Sequence, residues 1–537
     1  MNERAYDVAI IGSGAGGGTV ALGLAPLARD GRRVLVLEQG PRLEDHEFTG
    51  RELEMAPALY EDGGGFLTAD GTMTLAFGRV YGGSTVVYTG TSLTAPERVV
   101  RAWNVPGLEH ADILKRSQKF MAQNNVHFLP PDELNENNTL FAEGCEHAGY
   151  HCEPFPLNLR GCKGSSLCNL GCPNAAKQGT HRVQLPEAER QGVEVVTRAE
   201  ALRIEDRAIV LRVHEKPAGG KGRPSEWPPG DYRISARIVV VAGGSIGSSA
   251  LLLRSGLKDR LPRLGDGFTC HPAHILVAEH ARAITNDVGH PKSFFVDAAE
   301  TEGWVLETCM YFPFTTAKNL TGFGAEHSRI MRAFPRLQMI LVLACDRATD
   351  GNRITVDSSG RPVVHYRFTP EVIQSMVRAT RAATRIFFAA GAVRAHAPSA
   401  GLTSSSDPRP ATWANASRSD TSRRARPPSP PPTSWAAAAW AAKPAIPSPM
   451  PGAACTAWPG CASRTRACSR TRSRSIPTSR SWRSRTASRS ECARTSRPRE
   501  FNGEGAGTDC SHAETRRAES GRAQQPFRRA VGRGRGN

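Results

Sequence analysis

The 537-residue chain contains no run of about eighteen apolar residues, so no transmembrane helix is expected. A secretory leader is not expected either. The opening residues Met1-Asn2-Glu3-Arg4-Ala5-Tyr6-Asp7 carry acids ahead of a short apolar stretch that ends in glycines, and the chain reads as cytoplasmic. Its 13 cysteines are unevenly spaced, and five lie beyond residue 400, which excludes a disulfide framework for a chain this long. Tyrosine is missing from residues 401–537, where the branched aliphatics are only Leu402, Ile446, Ile476 and Val531. Such a segment cannot bury enough apolar surface to offset its ordering entropy, and it reads as a disordered basic tail. The net charge of +18 suggests a nucleic-acid or anionic-membrane partner. Of the 69 Lys and Arg, however, 25 lie in 401–537, against 8 of the 51 Asp and Glu. The 44 and 43 that remain balance, so residues 1–400 carry no electrostatic case for nucleic acid. Binding through the tail alone stays as the reading from another class.

What is present begins at the N-terminus. Asp7-Val8-Ala9-Ile10-Ile11 suits a buried parallel strand, and Gly12-Ser13-Gly14-Ala15-Gly16-Gly17 follows at once. Gly12, Gly14 and Gly17 fit GxGxxG: a tight turn, a close backbone approach to a pyrophosphate, and a close helix–strand contact. A helix is predicted from about Ala15 to Ala28, with Val20, Leu24 and Leu27 sharing its buried face. Val34 to Leu37 gives a second strand, and Glu38 stands at its end, 21 residues after Gly17. A carboxylate there accepts hydrogen bonds from ribose hydroxyls. Strand, glycines, helix, strand and acid in that order point to a dinucleotide, and suit NAD or FAD equally.

Gly78-Arg79-Val80-Tyr81-Gly82-Gly83-Ser84-Thr85 is a second glycine loop, and Val239 to Gly244 is another buried strand entering a glycine turn, continued to Gly256. These two segments resemble the signatures of the glucose–methanol–choline (GMC) oxidoreductases, flavoenzymes that oxidise alcohols. Gly192 to Thr197 resembles the strand that leads to that family's adenine contact, near Ala199 to Ala201. The resemblance implies FAD, with Gly12, Gly14, Gly17, Glu38 and Ala201 on the ADP half and Gly82, Gly83 and Ser84 on the flavin side. It implies an α/β chain with a Rossmann-like FAD-binding domain and a second α+β substrate domain, followed by the disordered basic tail. The expected divisions are 1–100 and 186–270 for the FAD-binding domain, 101–185 for a cap or cysteine-rich segment, and 271–400 for the substrate domain. Residues 401–537 form the out-of-frame or disordered remainder. The implied partner is a small-molecule alcohol, and nothing specifies which alcohol or which electron acceptor.

Cys162, Cys168 and Cys172 fall within eleven residues. Similar cysteines occur in long-chain alcohol oxidases and some sugar dehydrogenases of the family. Three soft ligands could hold an iron–sulfur cluster, which leaves an iron–sulfur-linked dehydrogenase as a reading beside a plain cysteine-rich loop. The family also needs a C-terminal histidine to take the hydroxyl proton, with a second His or an Asn further on. Residues 401–511 contain no His. Shifting the frame by one nucleotide lets Thr433 to Ala441 spell His-Leu-Met-Gly-Gly-Cys-Arg-Met-Gly. The same shift lets Ser463 to Ala467 spell Val-Ala-Asp-Ala-Ser, and Ile476 to Ser490 begin Asn-Pro-Tyr. All three resemble the family's closing segments. The expectation is therefore a frameshift between about Ala400 and Asp420, with no catalytic residue left in the printed chain and no metal ligand assigned.

Overall fold

The computed structural model describes residues 2–284, 287–320, 322–396 and 403–405. The first apolar run forms strand β1 (Asn2–Ile11), and helix α1 (Ala15–Arg29) follows it. Strand β2 (Val34–Leu37) then lies parallel to β1, pairing Val8 with Val34 and Ile11 with Leu37. The chain returns to this sheet with β3 (Glu194–Val196), β4 (Ala199–Glu205), β5 (Ala208–Val213) and β6 (Gly230–Val241). The sheet order is β3-β2-β1-β6-β5-β4. The first four strands are parallel, and β4, β5 and the start of β6 make an antiparallel meander. Parallel strands are covered on both faces, which explains their unbroken apolar runs. Val8, Ile10, Val34 and Val36 pack under α1, while Ala9, Ile11, Leu35 and Leu37 face the opposite core.

The predicted buried face of α1 is corrected by the structure. Gly17, Gly18, Ala21 and Ala25 are its buried residues, Val20 and Leu24 sit at the margin, and Leu27 is 44% exposed. The helix lies so close to β1 that only small side chains fit beneath it, and the larger apolar residues are rotated outward.

Helix α2 (Gly244–Arg254) follows β6 through Gly243. The second sheet holds β7 (Ala273–Glu279), β8 (Phe294–Ala298), β9 (Trp304–Thr308), β10 (Leu337–Ala344), β11 (Arg394–His396) and β12 (Thr403–Ser405). Its order is β12-β11-β7-β10-β9-β8, all antiparallel, with Glu153–Pro154 added beyond β8. Helix α3 (Pro370–Ala389) lies against it and buries Ala379, Ala383, Ile386 and Phe387 with Leu276, Trp304 and Ile340. Thr369 caps α3, accepting from the amide of Val372 at 3.3 Å. Two features depart from the expected divisions. Glu153–Pro154, from the cysteine-rich segment, joins the second sheet. Thr403–Ser405, inside the stretch read as tail, pairs with β11, because three backbone residues suffice to extend an antiparallel edge. The rest of that stretch lies outside the described residues.

Candidate nucleotide-binding site

The site assembles where β1 turns into α1. Gly12 adopts φ +102°, and a Cβ there would stand 2.4 Å from the carbonyl oxygen of Ala242, just past β6. A Cβ on Gly17 would stand 1.9 Å from the carbonyl oxygen of Gly12. These two glycines are required by the protein itself. Gly14 is not, since its nearest neighbour would be the Cα of Gly83 at 3.8 Å. No side chain caps α1, whose N-cap is Gly14, so its first amides and its dipole are free to meet an anion.

The second glycine loop packs directly on the first. A Cβ on Gly83 would lie 2.8 Å from the Cα of Gly14, and both Gly82 and Gly83 have positive φ, at +99° and +54°. Ser13 ties the loops together: its Oγ accepts from the Gly82 amide at 2.9 Å and donates to Glu38 Oε2 at 2.5 Å. Thr180 Oγ1 stands 3.2 Å from the carbonyls of both Ser13 and Gly82. Ser84 turns its hydroxyl back on its own loop, accepting from the Gly78 amide at 2.9 Å.

Glu38 is buried at the end of β2. Its carboxylate accepts from the Ser13 amide at 3.1 Å, the Ser13 hydroxyl, and the Gly40 amide at 2.8 Å. Burial pushes its pKa up against these three donors. Oε1 has one partner and keeps a lone-pair site that a ribose hydroxyl can use. The first residue of β4 reaches back to Glu38, where the Ala199 amide donates to the Glu38 carbonyl at 2.8 Å. Ala201, two residues along β4, is buried in the core, and its carbonyl accepts from Arg254 at 3.1 Å. Ser13, Gly40, Thr180 and the approach of Ala242 were not legible beforehand. The one available signal was Ser13's place between the first two glycines.

We expect Glu38→Gln to cost about 1–3 kcal/mol of stability, since one amide –NH2 must then face a backbone donor that the carboxylate now accepts. Urea unfolding of the apo-protein measures this, and an unchanged midpoint would refute the assigned role.

Lys177 was also unforeseen. It is fully buried, and Nζ donates to the carbonyls of Val86 at 2.5 Å, Cys168 at 2.6 Å and Tyr88 at 2.7 Å. The iron–sulfur reading gains no geometry. Cys162, Cys168 and Cys172 form no metal-holding group, and none exists among the described residues. Burial drives the Cys168 thiol up to about 12. Cys162 instead lines a separate cavity of about 660 Å3 with Asn135, Lys163 and His290. The positions proposed for the catalytic pair, Thr433 and Ile476, lie outside the described residues. No described helix is long and apolar enough to cross a membrane.

Residues 56–273 match the GMC oxidoreductase family. An uncharacterized GMC-type oxidoreductase of Mycobacterium tuberculosis is 33% identical over 399 residues, covering 72% of this chain and 60% of that protein. A long-chain-alcohol oxidase of Arabidopsis thaliana is 30% identical over 280 residues, half of this chain and 36% of that protein. A 6'''-hydroxyparomomycin C oxidase of Streptomyces lividus is 27% identical over 437 residues, 69% and 74% of the two chains. The chain thus spans about 60% or less of the first two relatives. Among solved structures, a formate oxidase of Aspergillus oryzae shares the fold with a TM-score of 0.51 at 13% identity, covering 72% of this chain and 82% of that one.

Proposed function

We propose that this chain is a GMC oxidoreductase with FAD as its cofactor, that residues 1–396 are the FAD-holding body of an enzyme that oxidises the CH–OH group of an alcohol, and that the printed chain binds FAD without turning over; the GMC match over residues 56–273 and the 33% identical GMC-type relative support this reading. When bound, FAD supplies the hydride acceptor. The residues at the site fit it. The space at Gly14, the uncapped start of α1 and the second glycine loop suit a pyrophosphate, and the spare lone pair of Glu38 suits a ribose. The observation that carries the reading is the seating of Gly83 on Gly14, with Ser13 binding both Gly82 and Glu38. Two loops and one acid separated by up to 69 residues converge on one cleft. Such a convergence is what a long dinucleotide requires and what a sheet turn alone does not.

The inactive half of the proposal rests on chemistry and on an open edge. Removing the hydroxyl proton needs a base, and neither Thr433 nor Ile476 can supply one near pH 7. Beyond Ala236, β6 pairs only with β1 among the described residues, and Ile238 is 59% exposed on that strand. A parallel strand is normally covered, so the edge is the place for the closing segment that the shifted frame removes. The names of the Arabidopsis relative, a long-chain-alcohol oxidase, and of the Streptomyces relative, a 6'''-hydroxyparomomycin C oxidase, support a CH–OH compound larger than methanol as the substrate.

The test uses the full chain and a frame-restored version of its gene. The printed chain is expected to purify yellow, to release FAD on denaturation and to show no alcohol-dependent flavin reduction. The restored chain is expected to reduce its flavin with alcohols. Colourless protein would overturn the FAD reading. Alcohol turnover by the printed chain, or a protein-level sequence matching an unbroken frame, would overturn the frameshift.

A further inference from the structure

The proposal rests on the FAD reading above and concerns Lys177. Its ammonium has three N–H donors and finds three carbonyls, those of Val86, Tyr88 and Cys168, so its hydrogen bonding is complete. Its charge is not. Among the described residues no carboxylate stands with its partners, the side chain is fully buried, and burial lowers its pKa to about 8. Burying an ammonium without a counter-ion is costly. An amide side chain or a bound water could join backbone carbonyls without that electrostatic cost. The charge therefore calls for an anion.

Its surroundings say where. Val86 closes the short helical turn that starts at Gly83, and Tyr88 follows two residues later. Three residues after Lys177, Thr180 contacts the carbonyls of Ser13 and Gly82, and its amide donates to Thr85 Oγ1 at 3.1 Å. The segment from Lys177 to Thr180 is thus fastened beneath both glycine loops. Hydride transfer from the alcohol breaks a carbinol C–H bond and delivers two electrons and one proton to the flavin, while the hydroxyl proton leaves separately. The ring system gains one unit of negative charge, and Lys177 keeps its proton throughout.

We propose that Lys177 is an electrostatic positioning residue, whose buried ammonium holds the flavin-side loop and favours the reduced, negatively charged state of the FAD bound against it. A fixed charge in a low-dielectric setting near that loop should shift the oxidised–reduced equilibrium by about tenfold.

The experiment measures the midpoint potential of the flavin bound to the full chain by dye equilibration, with FAD affinity and thermal midpoint recorded alongside. Lys177→Gln retains donors and removes the charge. We expect it to disfavour reduced flavin by about tenfold or more, near 30 mV for a two-electron couple. Lys177→Arg, which keeps the charge, should retain most of the wild-type potential even where the thermal midpoint falls. A loss of affinity or thermal stability in Lys177→Gln with an unchanged potential makes the residue a clamp only and overturns the proposal. If Lys177→Gln does not fold, a potential in Lys177→Arg as low as that of free FAD overturns it equally. Wild-type protein that holds no flavin would instead sink the FAD reading on which this rests.

Discussion

Gly14→Ala is expected to leave the apo-protein as stable as the parent and to weaken FAD binding by about a hundredfold. A Cβ at Gly14 meets nothing nearer than the Cα of Gly83 at 3.8 Å, and its φ of −63° is open to any L-residue. The protein tolerates that methyl, so the space it fills is the space a pyrophosphate needs beside the first amides of α1. Gly17→Ala should behave differently. Its Cβ would fall 1.9 Å from the Gly12 carbonyl oxygen, and α1 must move off β1 to admit it. Overpacking of this kind costs about 1–3 kcal/mol or more. Thermal unfolding of the two apo-proteins, followed by FAD titration, separates a ligand effect from a fold effect. Equal FAD affinity in Gly14→Ala and parent would contradict the assigned pyrophosphate position.

The second large effect is a loss of stability on mild acidification. His274, His290 and His396 are buried or nearly so, and burial lowers their pKa values to about 3, about 4 and about 4. His290 shows why. Its Nε2 stands 2.7 Å from the Thr89 carbonyl, and its Nδ1 accepts from the Lys292 amide at 3.2 Å, a pattern only the neutral ring satisfies. His396 lies 3.8 Å from Glu279, but that carboxylate already faces Arg329, Arg336 and Arg394. The folded values lie below the unfolded one near 6.5, so between them the unfolded chain binds more protons. Stability from these groups is complete above about pH 6.5 and falls as pH drops toward 4. At pH 5 each histidine has cost about 2 kcal/mol, against a total of about 5–15 kcal/mol for an ordinary domain. Urea midpoints at pH 7 and pH 5 should therefore differ strongly, and His290→Gln should flatten part of the difference. Equal midpoints would show that these rings are not buried as neutral groups.

The division between sequence and tertiary structure follows the range of each signal. The strand-glycine-helix-strand-acid series from Asp7 to Glu38 was legible because backbone conformation and burial period are local properties. Gly12, Gly14, Gly17 and Glu38 fall where that series places them. The burden on the aliphatic face of α1 was not legible, because how near a helix approaches its sheet is set by the partner surface. That is why Leu27 was placed inside and lies outside. Only the folded chain brings Ser13 to Gly82, Thr180 to Ser13, Ala242 to Gly12 and Lys177 to Val86, across separations of 69, 167, 230 and 91 residues. A pattern along the chain fixes which residues can turn, cap or bury, and the packing of distant segments alone fixes which of them meet.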